Sequence, residues 1–411
     1  MTAQPPLPAS PPTSREPRRR PADRRDVILR SAARAFSADG YHAVRLDDIA
    51  DAAGISAPAL YRHFPNKYAL FAETARNLAD ALADATGKVP HDTDRPEVEL
   101  HGLLAALTGA SIENRRTGGL YHWEADYLQP ADARYVRDIV VSQHRRIRTA
   151  LRRARPGLDA DSADLITAAM TSVVASPATH RAALPARQIG ELITDAAMTL
   201  SDVDLPSPPG VDVGAQPPGL SPTSKREKLL AEAIKLFAAQ SFREVTIDDI
   251  ARAADLPASG VYRHFDSKAA ILQAAFWRAS DRVTALIADA LSSSTTPREA
   301  ITALVTRYVD LSCTNTAMLA VYVSEIGSVT PGQRTELRNQ QRLNVEEWAA
   351  WLTRERPELT AVQARFLVQA VLNVTIDLTR LNPSPPPGRI TALGLRLLLG
   401  GAGSDGVEIG E

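Results

Sequence analysis

The chain is predicted to be all-α, assembled from two tandem copies of one helical unit. Three observations predict this. The sequence repeats itself at a constant offset of 201 residues, seen first where ALYRHFPNK ends at Lys67 and GVYRHFDSK ends at Lys268. Hydrophobic residues make up 44% of the 411 residues but aromatics only 5%, a balance that favours packed helices over sheets. A Pro/Gly-rich stretch, Leu205–Ser224, lies between the copies and reads as a linker with polyproline II character.

The repeat governs every later reading. Setting Asp26–Phe71 against Glu227–Leu272 gives 18 identities in 46 pairs, including Phe36/Phe237, Asp47/Asp248, Ile49/Ile250 and Tyr61/Tyr262. Downstream the same offset pairs Tyr121 with Tyr322, Pro130 with Pro331, Arg155 with Arg356 and Pro185 with Pro386. These later matches are sparse, and their shared register is what carries weight. The resulting organisation is a tail (1–23), a first small helical domain (24–70), a first helical region (71–204), a linker (205–223), then the second small domain (224–271), second helical region (272–400) and a tail (401–411).

Bulk properties limit the function. A net charge of −1 excludes a uniformly basic coat but allows a local basic patch. The single cysteine, Cys313, excludes an internal disulfide framework and a cysteine zinc cluster. No run approaches the length of apolar sequence that spans a membrane, and residues 1–23 lack the apolar core of a signal peptide. A soluble, cytoplasmic protein without membrane contact is expected.

In the first copy, Val27, Ile28, Ala32, Ala35 and Phe36 give Arg24–Ala38 an amphipathic period, and Gly40 is a natural stop. Leu46–Ala53 follows, with Asp47 and Asp48 in its first turn, where the helix dipole favours acids. Gly54 breaks the chain. Ser56 can cap a third short helix, Ala57–His63, with Pro58 in its first turn. Lys67 opens a long fourth helix. The second copy repeats this over Lys225–Ala239, Ile247–Ala254, Ala258–His264 and from Lys268 onward, with Asp255 at the turn glycine's place; Asp tolerates the left-handed conformation better than most residues. Three short helices with a tight turn before the third follow the helix-turn-helix plan. Further helices are expected near 67–86, 97–117, 119–128, 131–154, 160–176 and 186–200, and again 201 positions later.

The series F-x-x-x-G-Y/F, then L/I-D-D-I-A-x-A-A, then A-x-x-x-Y-R-H-F-x-x-K resembles the TetR family of bacterial repressors over about 47 residues in each copy. The resemblance implies, for each copy, a three-helix DNA-binding domain followed by a helical ligand-binding and dimerisation domain. Family members usually carry one DNA-binding domain and act as homodimers; this chain departs by carrying two. In that respect it resembles tandem TetR regulators of mycobacteria and related actinobacteria, some of which control lipid or sterol metabolism.

The expected partner is double-stranded DNA. Ala57, Pro58 and Ala59 form the tip of the first recognition helix, beside its cap Ser56, and alanine methyls there suit thymine methyls. Ala258, Ser259 and Gly260 form the second tip, where Ser259 offers a hydroxyl. Arg62 and Arg263 can reach a guanine edge or a phosphate. The resemblance implies phosphate contacts from Tyr61/Tyr262, His63/His264 and Lys67/Lys268. Thr246 can donate to a phosphate, and its counterpart Arg45 can add charge. Phe64 and Phe265 are expected to pack the small domains. For Tyr61 and Tyr262, packing the ring and exposing the hydroxyl are both open. Arg15, Arg18, Arg19, Arg20, Arg24 and Arg25 form an arm that either enters a minor groove or stays solvated; the second copy has only Lys225, Arg226 and Lys228 there.

Two unlike heads in one chain predict a monomeric pseudo-dimer reading a site with unlike halves, with higher assembly left open. Its mutual surface is expected at about 160–200 and 361–399, through Ile166, Val173, Leu192 and Ile193, and through Leu367, Val371, Leu372, Ile376 and Leu397. The resemblance also implies an apolar pocket for a small ligand. Candidates are Tyr121, His122, Trp123 and Tyr127 in the first copy, and Trp277, Tyr308, Cys313, Met318 and Tyr322 in the second; ordinary core packing is the alternative for each. No catalytic motif, metal-ligand spacing or cofactor fingerprint is present. Two rival readings stand: gating by a protein partner, and an enzyme fused to DNA-binding heads.

Overall fold

The computed structural model describes residues 21–91, 94–115, 127–207 and 222–400. Tyr121, His122 and Trp123, the last tail, most of the linker and the greater part of the basic arm lie outside them. The described residues are helical, with no strand among them.

In the first unit α1 (Pro21–Ala43), α2 (Leu46–Ala52) and α3 (Ala57–His63) form the small domain, and α4 (Lys67–Gly87) leads out of it. The helical region continues with α5 (Pro96–Glu113), α6 (Pro130–Ala154), α7 (Ala160–Ala175) and α8 (Ala186–Thr199). The second unit repeats the plan. Its head is α9 (Lys225–Gln240), α10 (Ile247–Ala253) and α11 (Ala258–Tyr262), followed by α12 (Lys268–Ser292) and α13 (Pro297–Thr314). Then come α14 (Thr316–Glu325), α15 (Pro331–Glu355), α16 (Ala361–Thr379) and α17 (Pro387–Leu399).

Proline opens α5, α6, α13 and α15, where its missing N–H costs no hydrogen bond. Capping boxes start α10, α13, α15 and α16. Several boundaries differ from expectation. Helix α1 runs through to Ala43 with a break at Gly40 (φ 79°), and Ser241 takes the same positive φ (72°) in the second copy. Helix α11 stops at Tyr262, two residues short of the expected His264. Helix α12 extends to Ser292, beyond the end expected from α4. Ser56 occupies the cap position of α3 without bonding through its side chain. The turn residues behave as read: Gly54 has φ +67° and Asp255 has φ 56°.

Each head has its own core, Phe36, Ile49, Leu60, Phe64 and Phe71 in the first and Phe237, Ile250, Val261, Phe265 and Phe276 in the second. The two helical regions share a single core. It runs from Leu103, Ile147 and Val173 through Ile193 to Val305, Trp348, Val371 and Leu397. Helix α16 packs along α7, and α17 makes a smaller contact with α8. Ile166, Val173, Ile193, Leu367, Val371 and Leu397 are buried in this core, and Leu192 packs against it half-buried. Among the described residues α16 is also the one helix long and apolar enough to cross a membrane by length and composition, a feature the sequence reading did not expect. Here it is a core helix between the units.

Polar contacts cross the junction at its middle. The Ser172 hydroxyl donates to Asp377 Oδ2 at 2.6 Å, and the Asn373 amide donates to the Ser172 carbonyl at 3.1 Å and hydroxyl at 2.9 Å. Ser172 and Asn373 are themselves 201 apart, so each is the other's counterpart. In a two-fold arrangement only residues on the axis meet their own equivalents. The two equivalents meet at the middle of the α7–α16 contact, as they would beside a two-fold axis. Away from the axis, Arg389 donates to Ser162, and Arg396 Nε donates to the Thr199 carbonyl at 2.8 Å. Phe366 receives the Arg115 guanidinium over its face at 5.2 Å and the His180 ring at its edge at 4.5 Å. Burial, reinforced by Arg115, pulls the pKa of His180 down to about 3, so it packs there as a neutral ring.

Candidate nucleic-acid interface and ligand cavity

The third helix of each head sets its functional side chains by simple periodicity. Leu60 in α3 and Phe64 just after it, and Val261 in α11 and Phe265 after it, turn into the head cores. The positions between them face out. Tyr61 is 51% exposed and Tyr262 57%, so both phenols stand at the surface instead of closing the core. Arg62, Arg263 and His264 are exposed, and His63 is half-buried. At the tips, Pro58 and Ser259 are exposed and Ala57, Ala59, Ala258 and Gly260 are at most half-buried, with Ser56 exposed beside the first tip. Arg45 is exposed and sits 3.6 Å from Asp47.

Three side chains read as DNA contacts are already engaged within the protein. Lys67 Nζ donates to the Val44 carbonyl at 2.5 Å and lies over the Tyr41 ring at 5.0 Å. Lys268 repeats this, donating to Val245 at 2.7 Å and lying over Phe242 at 4.6 Å. Partial burial lowers the Lys268 pKa. These ammonium groups tie the start of the long helix to the turn before the second helix, a bracing role the sequence did not reveal. The Thr246 hydroxyl, expected to donate outward, donates to Asp249 at 2.6 Å and accepts from that residue's N–H in a capping box.

Arg25, counted with the basic arm, is also turned inward. It forms a two-pronged pair with Glu73 at 2.7 and 2.5 Å and lies over Phe64 at 4.5 Å. Arg226 takes the matching position over Phe265 at 4.7 Å. Each head thus carries the same pair of cation–aromatic braces. They hold the third helix in place without using its exposed edge.

A second site lies in the helical region of the second unit. Helices α12 to α16 line a largely apolar, half-open cavity of about 140 Å³. Of the expected pocket residues, Tyr308, Met318 and Tyr322 line it. Burial pushes both phenols up in pKa, keeping them neutral and able to donate. Trp348 stands edge-on to Tyr308 at 5.9 Å and supplies a wall the sequence reading missed. Asn315, Gln341 and Asn344 add amides, and the Asn315 carbonyl is held by Arg282 at 2.6 Å.

The other described pocket candidates lie elsewhere. Leu372 and Ile376, assigned to the unit junction, line this cavity. Trp277 lies outside it, in an open surface groove with Arg226 and His264. Cys313 packs half-buried against the shared core. Tyr127 belongs to the first head, stacked on Tyr41 at 5.6 Å. Among the described residues no cluster of side chains could hold a metal ion.

Two small three-helix heads with outward-facing third helices, each joined to a helical bundle, define a tandem helix-turn-helix architecture. The family model for bacterial regulatory proteins of the tetR family matches residues 28–74 and again 229–275. Two segments of the chain, one in each head, thus match the helix-turn-helix model of that family in tandem. It is 38% identical over 95 residues to the HTH-type transcriptional repressor KstR2 of Mycolicibacterium smegmatis, covering 23% of this chain and 46% of that protein. It is 32% identical over 106 residues to the HTH-type transcriptional activator FasR of the same organism, covering 26% and 48%. The chain thus spans about half the length of the curated relatives it matches. Solved structures similar to it include a TetR-family regulator from Bordetella parapertussis, with 24% identity, a TM-score of 0.40, and coverage of 44% of this chain and 97% of that one. The ketosteroid transcriptional regulator KstR2 of Mycobacterium tuberculosis is another, with 22% identity, a TM-score of 0.38, and coverage of 44% and 95%.

Proposed function

We propose that this chain is a DNA-binding transcriptional regulator, a repressor by preference, that grips its operator as a single-chain pseudo-dimer. The observation that carries the reading is the pair of outward third helices, one per unit, on units joined about the Ser172–Asn373 axis. Tyr61, Arg62, His63 and the Ala57–Ala59 tip read one half-site. Tyr262, Arg263, His264 and the Ala258–Gly260 tip read the other. Because Pro58 and Ser259 differ at the tips, the two halves of the operator differ. Lys67 and Lys268 contribute as braces that fix the start of the long helix against the turn before the second helix of each head.

Release comes from a small apolar molecule in the second unit's cavity. Helix α14 supports this reading, because Met318, Leu319 and Tyr322 line the cavity while Tyr322 also packs edge-on against Phe276 of the head core at 5.4 Å. At the end of that helix Glu325 accepts from the Phe242 N–H of the head at 3.0 Å. A cavity of this size suits a molecule of roughly benzene dimensions. The protein acts in the cytoplasm, and no reaction is assigned to it.

The test is selection of bound sites from random DNA, followed by affinity measurement on Arg62→Ala and Arg263→Ala proteins. Each variant is expected to lose about 1–3 kcal/mol and to relax specificity in a different half-site. Relaxation of both halves of a palindrome by either variant would overturn the reading.

A further inference from the structure

The junction between the units carries a code for who pairs with whom. We propose that this surface is heterospecific: it accepts the other unit of the chain and rejects a second copy of either unit, through Asp159, Ser172, Asn373, Asp377, Arg389 and Arg396. The inference rests on the pseudo-dimer reading above, but it concerns pairing and not DNA.

The argument comes from sliding each contact by 201 residues, which shows what a like-with-like pair would bring together. Arg389 is buried, donates to Ser162 and acts on the Asp159 carboxylate, helping to lower its pKa after the larger effects of the Ser162 hydrogen bonds. In a pair of second units, Arg389 would meet Gln363 and Thr360 in place of Ser162 and Asp159. In a pair of first units, Gln188 would stand in its place.

Arg396 gives the sharper contrast. It donates to the carbonyl of Thr199, the last residue of α8, where a cation is favoured by the helix end. Its counterpart in the first unit is Asp195. A pair of first units would therefore aim a carboxylate at the same carbonyl. A pair of second units would offer Arg396 the Gly400 carbonyl, one residue past the end of α17.

The axis and the aromatic contact follow the same rule. A pair of second units would place two Asp377 carboxylates beside the axis, where the chain has one; the counterpart of Asp377 is Ser176. Phe366, which takes Arg115 and His180, would face Thr316 and Leu381. In a pair of first units Arg115 and His180 would meet Leu165. Each like pairing thus loses contacts present in the unlike pairing and adds like-charge or unpaired groups. Specificity of this kind combines new attraction with repulsion against the alternative.

The experiment introduces a protease site into the Leu205–Ser224 stretch of the full chain, cuts the folded protein, unfolds it in urea and refolds the two halves together. Native mass spectrometry then counts the species. Unlike pairs are expected to dominate, with like pairs at least about tenfold below their random share. Random proportions of first–first, unlike and second–second pairs would overturn the proposal. The same protein carrying Asn373→Ser, Asp377→Ser, Arg389→Gln and Arg396→Asp should lose the preference and approach random pairing. An unchanged preference in that variant would overturn the assignment to these residues. Neither outcome depends on DNA, so a failed operator reading and a failed pairing code give separate results.

Discussion

The two units share helices and register, yet they stabilise the same position in opposite ways. At the start of α5, Glu99 is only 1% exposed and is held by His91 at 2.7 Å and Arg153 at 2.5 Å, with Arg146 at 3.4 Å. Arg146 also donates to the Thr86 and Val89 carbonyls at 2.6 Å, clamping the end of α4. The equivalent residue in the second unit is Ala300, equally buried and needing no partner. The second unit instead holds a half-open cavity walled by Tyr308 and Trp348, where the first has Leu107 and Ile147. A helical framework of this kind specifies where helices go, and leaves open whether a given interior site holds an ion network, plain hydrocarbon or a space for a guest.

The strongest way to break the comparison is to give the first unit the second unit's residue. Glu99→Ala strands Arg146 and Arg153 beside a buried gap and is expected to cost about 3 kcal/mol in urea unfolding. Burial alone would raise the Glu99 pKa, but the hydrogen bonds and charges of His91 and Arg153 hold it below its ordinary value of 4.5. A carboxyl depressed in the folded state stabilises fully above its unfolded pKa and loses that stabilisation as pH falls through the folded value. Unfolding titrations below about pH 4.5 should therefore show a steeper loss of stability in the parent protein than in Glu99→Gln.

A smaller effect separates the heads. Thr246 and Asp249 close a capping box on α10, while Arg45 leaves the equivalent end of α2 without a side-chain cap. Thr246→Ala should cost about 1 kcal/mol, and Arg45→Thr should recover part of that amount in the first head, both read from thermal melting. The smallest effect lies at the turn. Asp255 holds φ 56° where the first copy has Gly54. Asp255→Gly should raise stability by about 0.5 kcal/mol and Gly54→Asp should lower it similarly; opposite signs would mean that the Asp255 side chain stabilises the turn.

Much of this was legible in the sequence. The repeat gave register, and Gly54 with its counterpart Asp255 gave the turns. The spacing of Leu60 and Phe64 separated buried from exposed edges in α3, and left Tyr61 ambiguous only because a phenol can serve both sides. The motif T-I-D-D at Thr246 also carries a capping-box signal, which would have assigned that hydroxyl to Asp249. Other features were hidden for physical reasons. On α16, Leu372 and Ile376 sit one position before Asn373 and Asp377, so adjacent stripes of one helix face the cavity and the other unit. Periodicity identifies an apolar stripe but not what lies opposite it. Lys67 and Arg25 read as free cations because the carbonyls and rings that engage them are distant in sequence. Nothing around Glu99 signals a buried carboxylate, since Arg146 and Arg153 are distant in sequence on α6 and His91 lies in the stretch before α5.

The shared core has a kinetic consequence. Its two halves are joined by one backbone, so the core closes by a first-order reaction whose equilibrium does not change on dilution. Two separate chains would fall apart as their number dropped, with paired species varying as the square of the amount present. In the single-chain pair proposed above, a cell holding a handful of copies has the same paired fraction as one holding thousands.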